Sequence, residues 1–319
     1  MESELYRCAA VFTAQNILVY RDGRYDRAII SGKIDNQVLV GDYLACEMVY
    51  GQLYVNGIVR RKNRVSRLQT GKIQGLAANV DITFIMTSAN QDFNLARLER
   101  YYILAKEGGT RICFVLSKTD LTDRYEELAG IISKRFSECP VEKTSIYQVD
   151  SEKVLYNHWH ENETAIFLGS SGVGKSSLIN RMLKDEVIRT GDIRKGDDRG
   201  HHTTTARHIY ILPNKRVVID TPGLRSVGIS ANADTLDELF PEIKELESKC
   251  KYKNCSHLSE SGCAIQEALE REELDYNRYL RYLKLVGAEQ RRQILLKGKE
   301  YEKESLIKEL KASRKNKRK

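Results

Sequence analysis

Hydrophobic residues follow two different patterns along the chain. Up to residue 70, short runs such as Asn16–Tyr20, Arg27–Ser31 and Tyr54–Val59 alternate apolar and polar positions and are separated by turn signals. Such alternation predicts strands with one buried face. From about residue 79 onward, runs such as Val80–Met86 and Arg111–Leu116 are continuously apolar, which is typical of strands buried on both faces of a parallel sheet.

These patterns predict a chain of several parts. About five short strands in residues 1–72 suit an OB-type β-barrel, although a fragment of a β-sandwich would alternate in the same way. Strands and helices alternate in residues 73–229, which predicts an α/β domain with a mostly parallel sheet. Residues 230–285 look helical around a cluster of cysteines, and residues 286–319 are expected to form a charged helix with a basic tail.

Charge adds a question that the sequence leaves open. The chain has 319 residues and a net charge of +8, which fits either a polyanionic partner such as nucleic acid or simply a basic enzyme. A basic segment follows the predicted barrel, and it is expected either to be solvated or to track a phosphate backbone. Its basic residues are Arg60, Arg61, Lys62, Arg64, Arg67 and Lys72.

The absence of long apolar runs bears on where the protein works. No stretch approaches the roughly 20 consecutive apolar residues of a membrane helix. The N-terminal residues MESELYR lack the basic and apolar regions of a secretory signal. We therefore expect a soluble, cytoplasmic protein that has no membrane partner and is a monomer.

A phosphate-binding motif lies in the α/β region. Residues 169–176, here called the phosphate loop, match the pattern GxxxxGK[ST] between an apolar run and a helical stretch. The glycines let backbone N–H groups turn toward phosphate oxygens, and the helix N-terminus favours negative charge. Lys175 is expected to reach the outer phosphates and Ser176 to bind Mg²⁺. The candidate nucleotide-binding residues are Gly169, Ser170, Ser171, Gly172, Val173, Gly174, Lys175, Ser176 and Ser177.

A second motif points to guanine. Ser117, Lys118, Thr119 and Asp120, here called the guanine loop, follow an apolar run and resemble the NKxD motif of GTPases. In that motif the carboxylate accepts two hydrogen bonds from guanine, and adenine lacks this donor pair. Ser117 stands where the motif has asparagine, and because serine is shorter we expect weaker anchoring of the base and the loop. Ser145 is the candidate for a further contact to guanine O6.

Two more segments resemble the switches of GTPases. Asp220 and Gly223 belong to a DTPG sequence that resembles DxxG, in which the aspartate holds Mg²⁺ through water and the glycine N–H senses the γ-phosphate. Thr204, in the run 200–205 between this motif and the phosphate loop, is expected to ligate Mg²⁺. The order is permuted, because the guanine loop precedes the phosphate loop. Such a permutation leaves the site intact if the former termini lie close together.

The DTPG sequence, the second switch, is not followed by the glutamine that Ras-like enzymes use in hydrolysis, so the catalytic residues must be sought elsewhere. Leu224 follows the glycine of DTPG, where Ras-like enzymes carry a glutamine that orients water. A leucine cannot do this, so we expect slow intrinsic hydrolysis. His202 is the candidate for positioning the attacking water, with His201 or a group from a partner as alternatives. Lys175 and Thr204 complete the predicted catalytic set.

The clustered cysteines predict a metal site. Cys250, Cys255, His257 and Cys263 supply three thiolates and one imidazole within fourteen residues. This is the ligand set of a closed tetrahedral zinc site with a structural role. The competing interpretation is three cysteines brought together by chance and a surface histidine.

Taken in this order, the motifs resemble those of the RsgA/YjeQ family of GTPases that depend on the small ribosomal subunit. The resemblance implies an N-terminal OB domain, a circularly permuted GTPase domain and a zinc-binding domain, with one structural Zn²⁺ and Mg²⁺ bound with GTP. It further implies GTP hydrolysis stimulated by the small subunit, a role in late maturation of that subunit, and contact with its rRNA.

Two other functions remain open at this stage. Ser117 favours an RNA-binding scaffold with a weak or vestigial nucleotide site. The other hypothesis is a basic GTPase that acts on another RNA or at an anionic membrane surface.

Overall fold

The computed structural model describes residues 4–32, 34, 37–69, 72–184, 207–221, 233–253, 255, 257 and 260–297. The chain forms two compact units. The first comprises residues 1–66 and 75–226, and the second comprises residues 67–74 and 227–319.

The first unit begins with a five-stranded barrel, as the alternating pattern predicts. Its strands are β1 (Glu4–Val11), β2 (Asn16–Arg21), β3 (Arg24–Ile30), β4 (Tyr43–Val49) and β5 (Gln52–Ile58). The strand order is β1-β2-β3-β5-β4, and β1 also pairs with β4, which closes the barrel. Every pairing is antiparallel except β3 with β5. The closed barrel excludes the alternative of a sandwich fragment.

The barrel is filled by the apolar positions of the alternating runs. Cys8, Ile17, Val19, Leu44 and Val55 are fully buried in one cluster. Because successive strand residues point to opposite faces, polar residues between them remain outside.

The basic segment after the barrel is partly structural rather than a free linker. Asp42 is fully buried at the barrel, and the Arg61 guanidinium donates to both of its carboxylate oxygens, at 2.6 and 2.7 Å. Lys62 forms an ion pair with Asp81. The segment then continues as a two-stranded sheet of β6 (Arg64–Gln69) and β7 (Lys72–Ala78).

The rest of the first unit is the predicted α/β structure. Its strands are β8 (Ile82–Ser88), β9 (Arg111–Ser117), β10 (Val141–Lys143), β11 (Thr164–Leu168), β12 (His208–Ile211) and β13 (Val217–Asp220). Its helices are α1 (Leu95–Glu107), α2 (Tyr125–Arg135) and α3 (Lys175–Leu183). The strand order is β10-β9-β8-β11-β13-β12, parallel except for the β12–β13 pair.

The sheet and the barrel are joined through one strand. The hairpin of β12 and β13 places β12 at the sheet edge, where His208 pairs with Ala10 of β1. All of the described strands except β6 and β7 therefore form a continuous eleven-stranded arrangement. On the sheet, Trp159, Phe84 and Phe167 pack together with ring centroids 4.9–6.3 Å apart. Such aromatic burial stabilises the scaffold that carries the loops.

Apart from its residues in β6 and β7, the second unit is helical where it is described. Its helices are α4 (Ala233–Leu239), α5 (Pro241–Ser248), α6 (Ala264–Glu270) and α7 (Tyr276–Lys297). The ring of Phe240 is fully buried, and the Arg278 guanidinium lies 3.9 Å from its centroid. The charged helix expected in residues 286–319 begins earlier, because α7 starts at Tyr276. Residues 298–319 lie outside the described residues. None of the helices in the described ranges is both long and apolar enough to span a bilayer.

Candidate nucleotide and metal sites

The phosphate loop, the guanine loop and the second-switch aspartate meet at one edge of the sheet. The guanine loop starts at the end of β9, the phosphate loop directly follows β11, and Asp220 ends β13. These strands lie in the order β9-β8-β11-β13 and are parallel. Because parallel strands end at the same edge, the motifs converge although they are permuted along the chain.

The phosphate loop needs its glycines for two different reasons. Gly172 and Gly174 have φ values of +82° and +98°, which side-chain-bearing residues rarely adopt. Gly169 instead lacks space, because a Cβ there would lie 2.7 Å from the carbonyl oxygen of Met86. The loop therefore keeps its backbone compact, and α3 begins at Lys175 immediately after it.

Lys175 is held inside the loop. Its ammonium donates to the carbonyl oxygens of Gly169 and Ser170, at 2.8 and 2.7 Å. Burial lowers the pKa of Lys175 to about 8, and the nearby charge of Asp220 opposes this shift. Burial likewise raises the pKa of Asp220, while Lys175 and His208 act in the opposite direction. Lys175 is buried and Asp220 is half-buried, and their opposite charges interact at the expected position of the phosphates and Mg²⁺.

Ser117 connects the guanine loop to the phosphate loop. Its hydroxyl lies 2.6 Å from the Val173 carbonyl oxygen and 3.1 Å from that of Thr87. A hydroxyl carries one hydrogen, so it donates to one of these oxygens at a time. The weaker anchoring expected of serine relative to asparagine stays a prediction, but the Ser117 hydroxyl does link the two loops. The short side chain suffices because β9 ends close to the phosphate loop.

The structure brings Asp120 and Ser145 together. The Ser145 hydroxyl donates to an Asp120 carboxylate oxygen. The backbone around Ser145 is held in turn, since Ser151 donates to the Ser145 carbonyl oxygen at 2.5 Å and the Tyr147 N–H donates to the Ser145 hydroxyl at 3.1 Å. This segment is preorganised beside the Asp120 carboxylate.

The structure also places the remaining predicted residues of the guanine loop and the phosphate loop. Lys118 has a left-handed backbone with φ +57°, and Thr119 begins the short 3₁₀ helix Thr119–Leu121. In the phosphate loop, Ser171 is exposed, while Ser176 and Ser177 lie half-buried in the first turn of α3.

Sequence reasoning missed a polar contact on the loop after β8. The Ser170 hydroxyl donates to Asp92 at 2.6 Å, and Arg97 donates to both Asp92 oxygens at 2.9 Å. Burial alone would raise the pKa of Asp92, but the Ser170 and Arg97 hydrogen bonds and the charge of Arg97 lower it. The signal was a polar run at the carboxyl end of β8, which neighbours β11.

Several predicted residues lie outside the described part of the chain. These are His201, His202, Thr204, Gly223 and Leu224.

The three cysteines and one histidine of the second unit form one cluster. Their ligand atoms all lie within 4.8 Å of one another. The Nδ1 atom of His257 is 3.6 Å from the sulfur of Cys250 and 3.6 Å from that of Cys263. Cys263 is buried, whereas the other three ligands are half-buried. The spacing and the donor set fit one tetrahedrally bound metal ion.

Comparison with known proteins identifies the family of the chain. A family profile described as RsgA GTPase matches residues 58–230, more than half of the sequence. The chain belongs to the RsgA GTPase family. It is therefore a GTP-hydrolysing enzyme with a circularly permuted GTPase fold.

Individual relatives of the RsgA family extend the match beyond this region. The small ribosomal subunit biogenesis GTPase RsgA 2 of Vibrio vulnificus (strain CMCP6) is 36% identical over 296 residues, which is 89% of this chain and 83% of the relative. The small ribosomal subunit biogenesis GTPase RsgA of Methanosarcina acetivorans is 38% identical over 255 residues, covering 77% of this chain and 69% of the relative.

Solved structures show the RsgA-type fold. YloQ, described as a circularly permuted GTPase, superposes with a TM-score of 0.58 at 24% identity, covering 91% of this chain and 96% of YloQ. YjeQ from Thermotoga maritima superposes with a TM-score of 0.59 at 23% identity, covering 89% of this chain and 98% of YjeQ. At these identities the similarity concerns the fold.

Proposed function

We propose that this GTPase binds the small ribosomal subunit through its rRNA and hydrolyses GTP during late maturation of that subunit, with hydrolysis stimulated by the subunit. The observation that carries the proposal is the convergence of the phosphate and guanine loops at one sheet edge, in a chain whose relatives are named small ribosomal subunit biogenesis GTPases. The net charge of +8 supports binding to a polyanion.

In this proposal each loop has a distinct task. Asp120 accepts hydrogen bonds from guanine, and the backbone beside Ser145 contacts the base. The N–H groups of the phosphate loop and the Lys175 ammonium bind the phosphates of GTP or GDP. The side chain of Lys175 must leave the carbonyl oxygens it now contacts, so nucleotide binding exchanges two hydrogen bonds for a charged partner.

Hydrolysis requires a metal ion and a positioned water. Mg²⁺ bound with GTP would neutralise developing charge on the phosphates, and Ser176, Thr204 and Asp220 are the residues proposed to hold it. His202 is proposed to position the water, and Thr204 and Lys175 to assist. Asp220 is half-buried at the end of β13, on the same sheet edge as the phosphate loop.

The cysteine–histidine cluster is proposed to hold one structural Zn²⁺. Three sulfur donors and one imidazole nitrogen leave no open coordination position for catalysis, and they match the preference of zinc. We further propose that the protein acts as a cytoplasmic monomer and that its parts are a barrel domain (1–72), a GTPase domain (73–229), a zinc-binding domain (230–285) and a basic tail (286–319).

A scaffold with a vestigial nucleotide site is the second candidate, because Ser117 replaces asparagine. Its support is reduced by the hydrogen bond from Ser117 to the phosphate loop. A vestigial site would predict RNA binding that is unaffected by nucleotide.

The decisive experiment is GTP turnover with and without purified small ribosomal subunits, at fixed salt and Mg²⁺. Large ribosomal subunits at the same concentration provide the control. We expect strong stimulation by the small subunit alone. Equal turnover in all three reactions would contradict the proposed activator, and failure to bind GTP would favour the scaffold.

Base recognition is tested separately by Asp120→Asn. The asparagine amide places an N–H donor where the carboxylate has an acceptor oxygen. The variant should therefore lose its preference for guanine and gain affinity for xanthine nucleotides. Asp123→Asn changes an exposed carboxylate just beyond the guanine loop and provides the matched control. Retained GDP preference over XDP in the Asp120 variant would refute the assignment.

A further inference from the structure

His257 is held in place through its backbone. Its φ of +61° lies in the left-handed region, which is uncommon for a residue with a side chain. Its carbonyl oxygen accepts hydrogen bonds from the Gln266 amide at 2.5 Å and from the Tyr279 hydroxyl at 3.0 Å. Two donors from α6 and α7 therefore fix the direction in which this residue enters the cysteine cluster.

The two ring nitrogens of His257 face different partners. Nδ1 lies 3.6 Å from the sulfurs of Cys250 and Cys263, while Nε2 lies 3.7 Å from an oxygen of Glu247. Glu247 is itself oriented, because the Tyr282 hydroxyl donates to the same oxygen at 2.6 Å. A carboxylate on α5 is thereby held beside the ring by α7.

This arrangement favours one tautomer of the ring. A neutral imidazole has one N–H donor and one nitrogen lone pair, and a carboxylate only accepts hydrogen bonds. Nε2 lies 3.7 Å from Glu247, an ion-pair distance longer than a hydrogen bond, so the carboxylate charge favours the tautomer with its proton on Nε2. That tautomer leaves the Nδ1 lone pair free for a metal ion. Carboxylates that accept from the free nitrogen of a metal-bound histidine orient the ring and raise its basicity.

We propose that Glu247 is a positioning residue of the metal centre, which acts on the metal through His257 rather than by direct ligation. The inference rests on the proposed zinc. It assigns a function to a charged residue that sequence spacing does not connect with the ligands, and it makes the packing of α5 against α7 a determinant of metal affinity.

The test compares zinc affinity in matched variants by competition with a chromophoric chelator. Glu247→Gln preserves size but removes the negative charge beside the ring, so the tautomer with its proton on Nε2 is no longer favoured. We expect its zinc dissociation constant to rise roughly 10- to 100-fold, the effect typical of losing such a partner. Glu245→Gln is the control, because Glu245 lies on the same helix and pairs with Lys249 at the surface. It should stay within about twofold of the wild type.

A spectroscopic measurement separates positioning from general stability. In zinc-loaded protein with ¹⁵N-labelled histidine, the His257 ring should show a slowly exchanging Nε2–H resonance, which Glu247→Gln should broaden or shift. Tyr282→Phe removes the hydroxyl that orients Glu247 and should weaken zinc binding in the same direction by a smaller factor.

Two results would overturn the proposal, and they are distinguishable. Stoichiometric zinc in the wild type, with unchanged affinity and an unchanged ring resonance in Glu247→Gln, would refute the role of Glu247 alone. Wild-type protein that binds no zinc would refute the metal assignment and this role together.

Discussion

The hydrogen bond from Ser117 to the phosphate loop leads to a quantitative prediction for Ser117→Ala. The side chain is only 5% exposed, and its hydroxyl lies 2.6 Å from the Val173 carbonyl oxygen. Removing the hydroxyl deletes the direct link between the guanine loop and the phosphate loop while changing the volume of the side chain very little.

The magnitude follows from the burial of this hydrogen bond. Loss of one partner from a buried hydrogen bond typically costs about 1–3 kcal/mol. If this loss falls on the loop conformation that binds phosphate, the dissociation constant for GDP should rise roughly 5- to 150-fold, since 1.4 kcal/mol corresponds to a factor of ten. Without nucleotide, the variant should show a lower unfolding midpoint for the same reason.

Displacement of a fluorescent GDP analogue measures this change. Ser133→Ala is the control, because Ser133 is exposed on α2. Ser117→Asn is a second variant with an opposite expectation, because an amide group has two donors for the carbonyl oxygens of Val173 and Thr87. It should bind GDP at least as tightly as the wild type. Ser117→Ala with wild-type affinity and a wild-type unfolding midpoint would show that the hydroxyl does not anchor the loop.

Three further predictions concern space, protonation and buried charge. Gly169→Ala should weaken GDP binding at least tenfold because its Cβ meets backbone, whereas Gly130→Ala, with no neighbouring atom of the described chain within 4 Å, should leave affinity unchanged and stabilise α2 by up to about 1 kcal/mol. Because burial lowers the pKa of Lys175 to about 8 and phosphate favours its charged form, GDP binding should take up a proton above pH 8 and weaken as pH rises, measured by calorimetry in buffers of different ionisation enthalpy. Arg61→Ala should lower the free energy of unfolding in urea by about 3–5 kcal/mol by leaving a buried carboxylate unpaired, and exposed Arg60→Ala should change it little.

Each of these has an outcome that contradicts it. Tight GDP binding by the Gly169 variant would mean that the backbone shifts without loss of function. Heats that do not depend on the buffer would show that Lys175 is already charged above pH 8. An Arg61 variant as stable as the wild type would show that Arg61 does not stabilise the barrel, as expected for a solvated basic segment.

Local sequence patterns predicted a helix that follows a recognisable motif and a strand that is buried on both faces. The helical stretch predicted after the phosphate loop is α3, Lys175–Leu183, and its start was predictable because a phosphate loop ends where its helix begins. The run Val80–Met86 is a strand shifted by two residues, to Ile82–Ser88. Its position was predictable because a strand buried on both faces is apolar throughout.

Other elements gave no comparable signal. The α2 helix spans Tyr125–Arg135 and was not predicted, because only Ala129 and Ile132 are buried and its apolar face is narrow. The strands β6 and β7 were not predicted: β6 carries Arg64 and Arg67 of the basic segment, and β7 begins at its last basic residue, Lys72. In the same segment, the role of Arg61 depends on Asp42, nineteen residues earlier, and spacing cannot reveal that pairing.

The sequence by itself determined the chemistry of this protein: a loop that can bind phosphates, an aspartate that can read guanine and four ligands that can hold a metal. These are properties of residue types at short spacing, and local backbone geometry is enough to express them. Only the tertiary structure decided which distant groups support them. Ser117 contacts a loop 56 positions later, and Ser170 contacts Asp92. Glu247 faces the ring of His257 and is itself held by the Tyr282 hydroxyl from another helix. Such contacts arise because strands and helices far apart in sequence pack side by side, and that packing depends on the whole core.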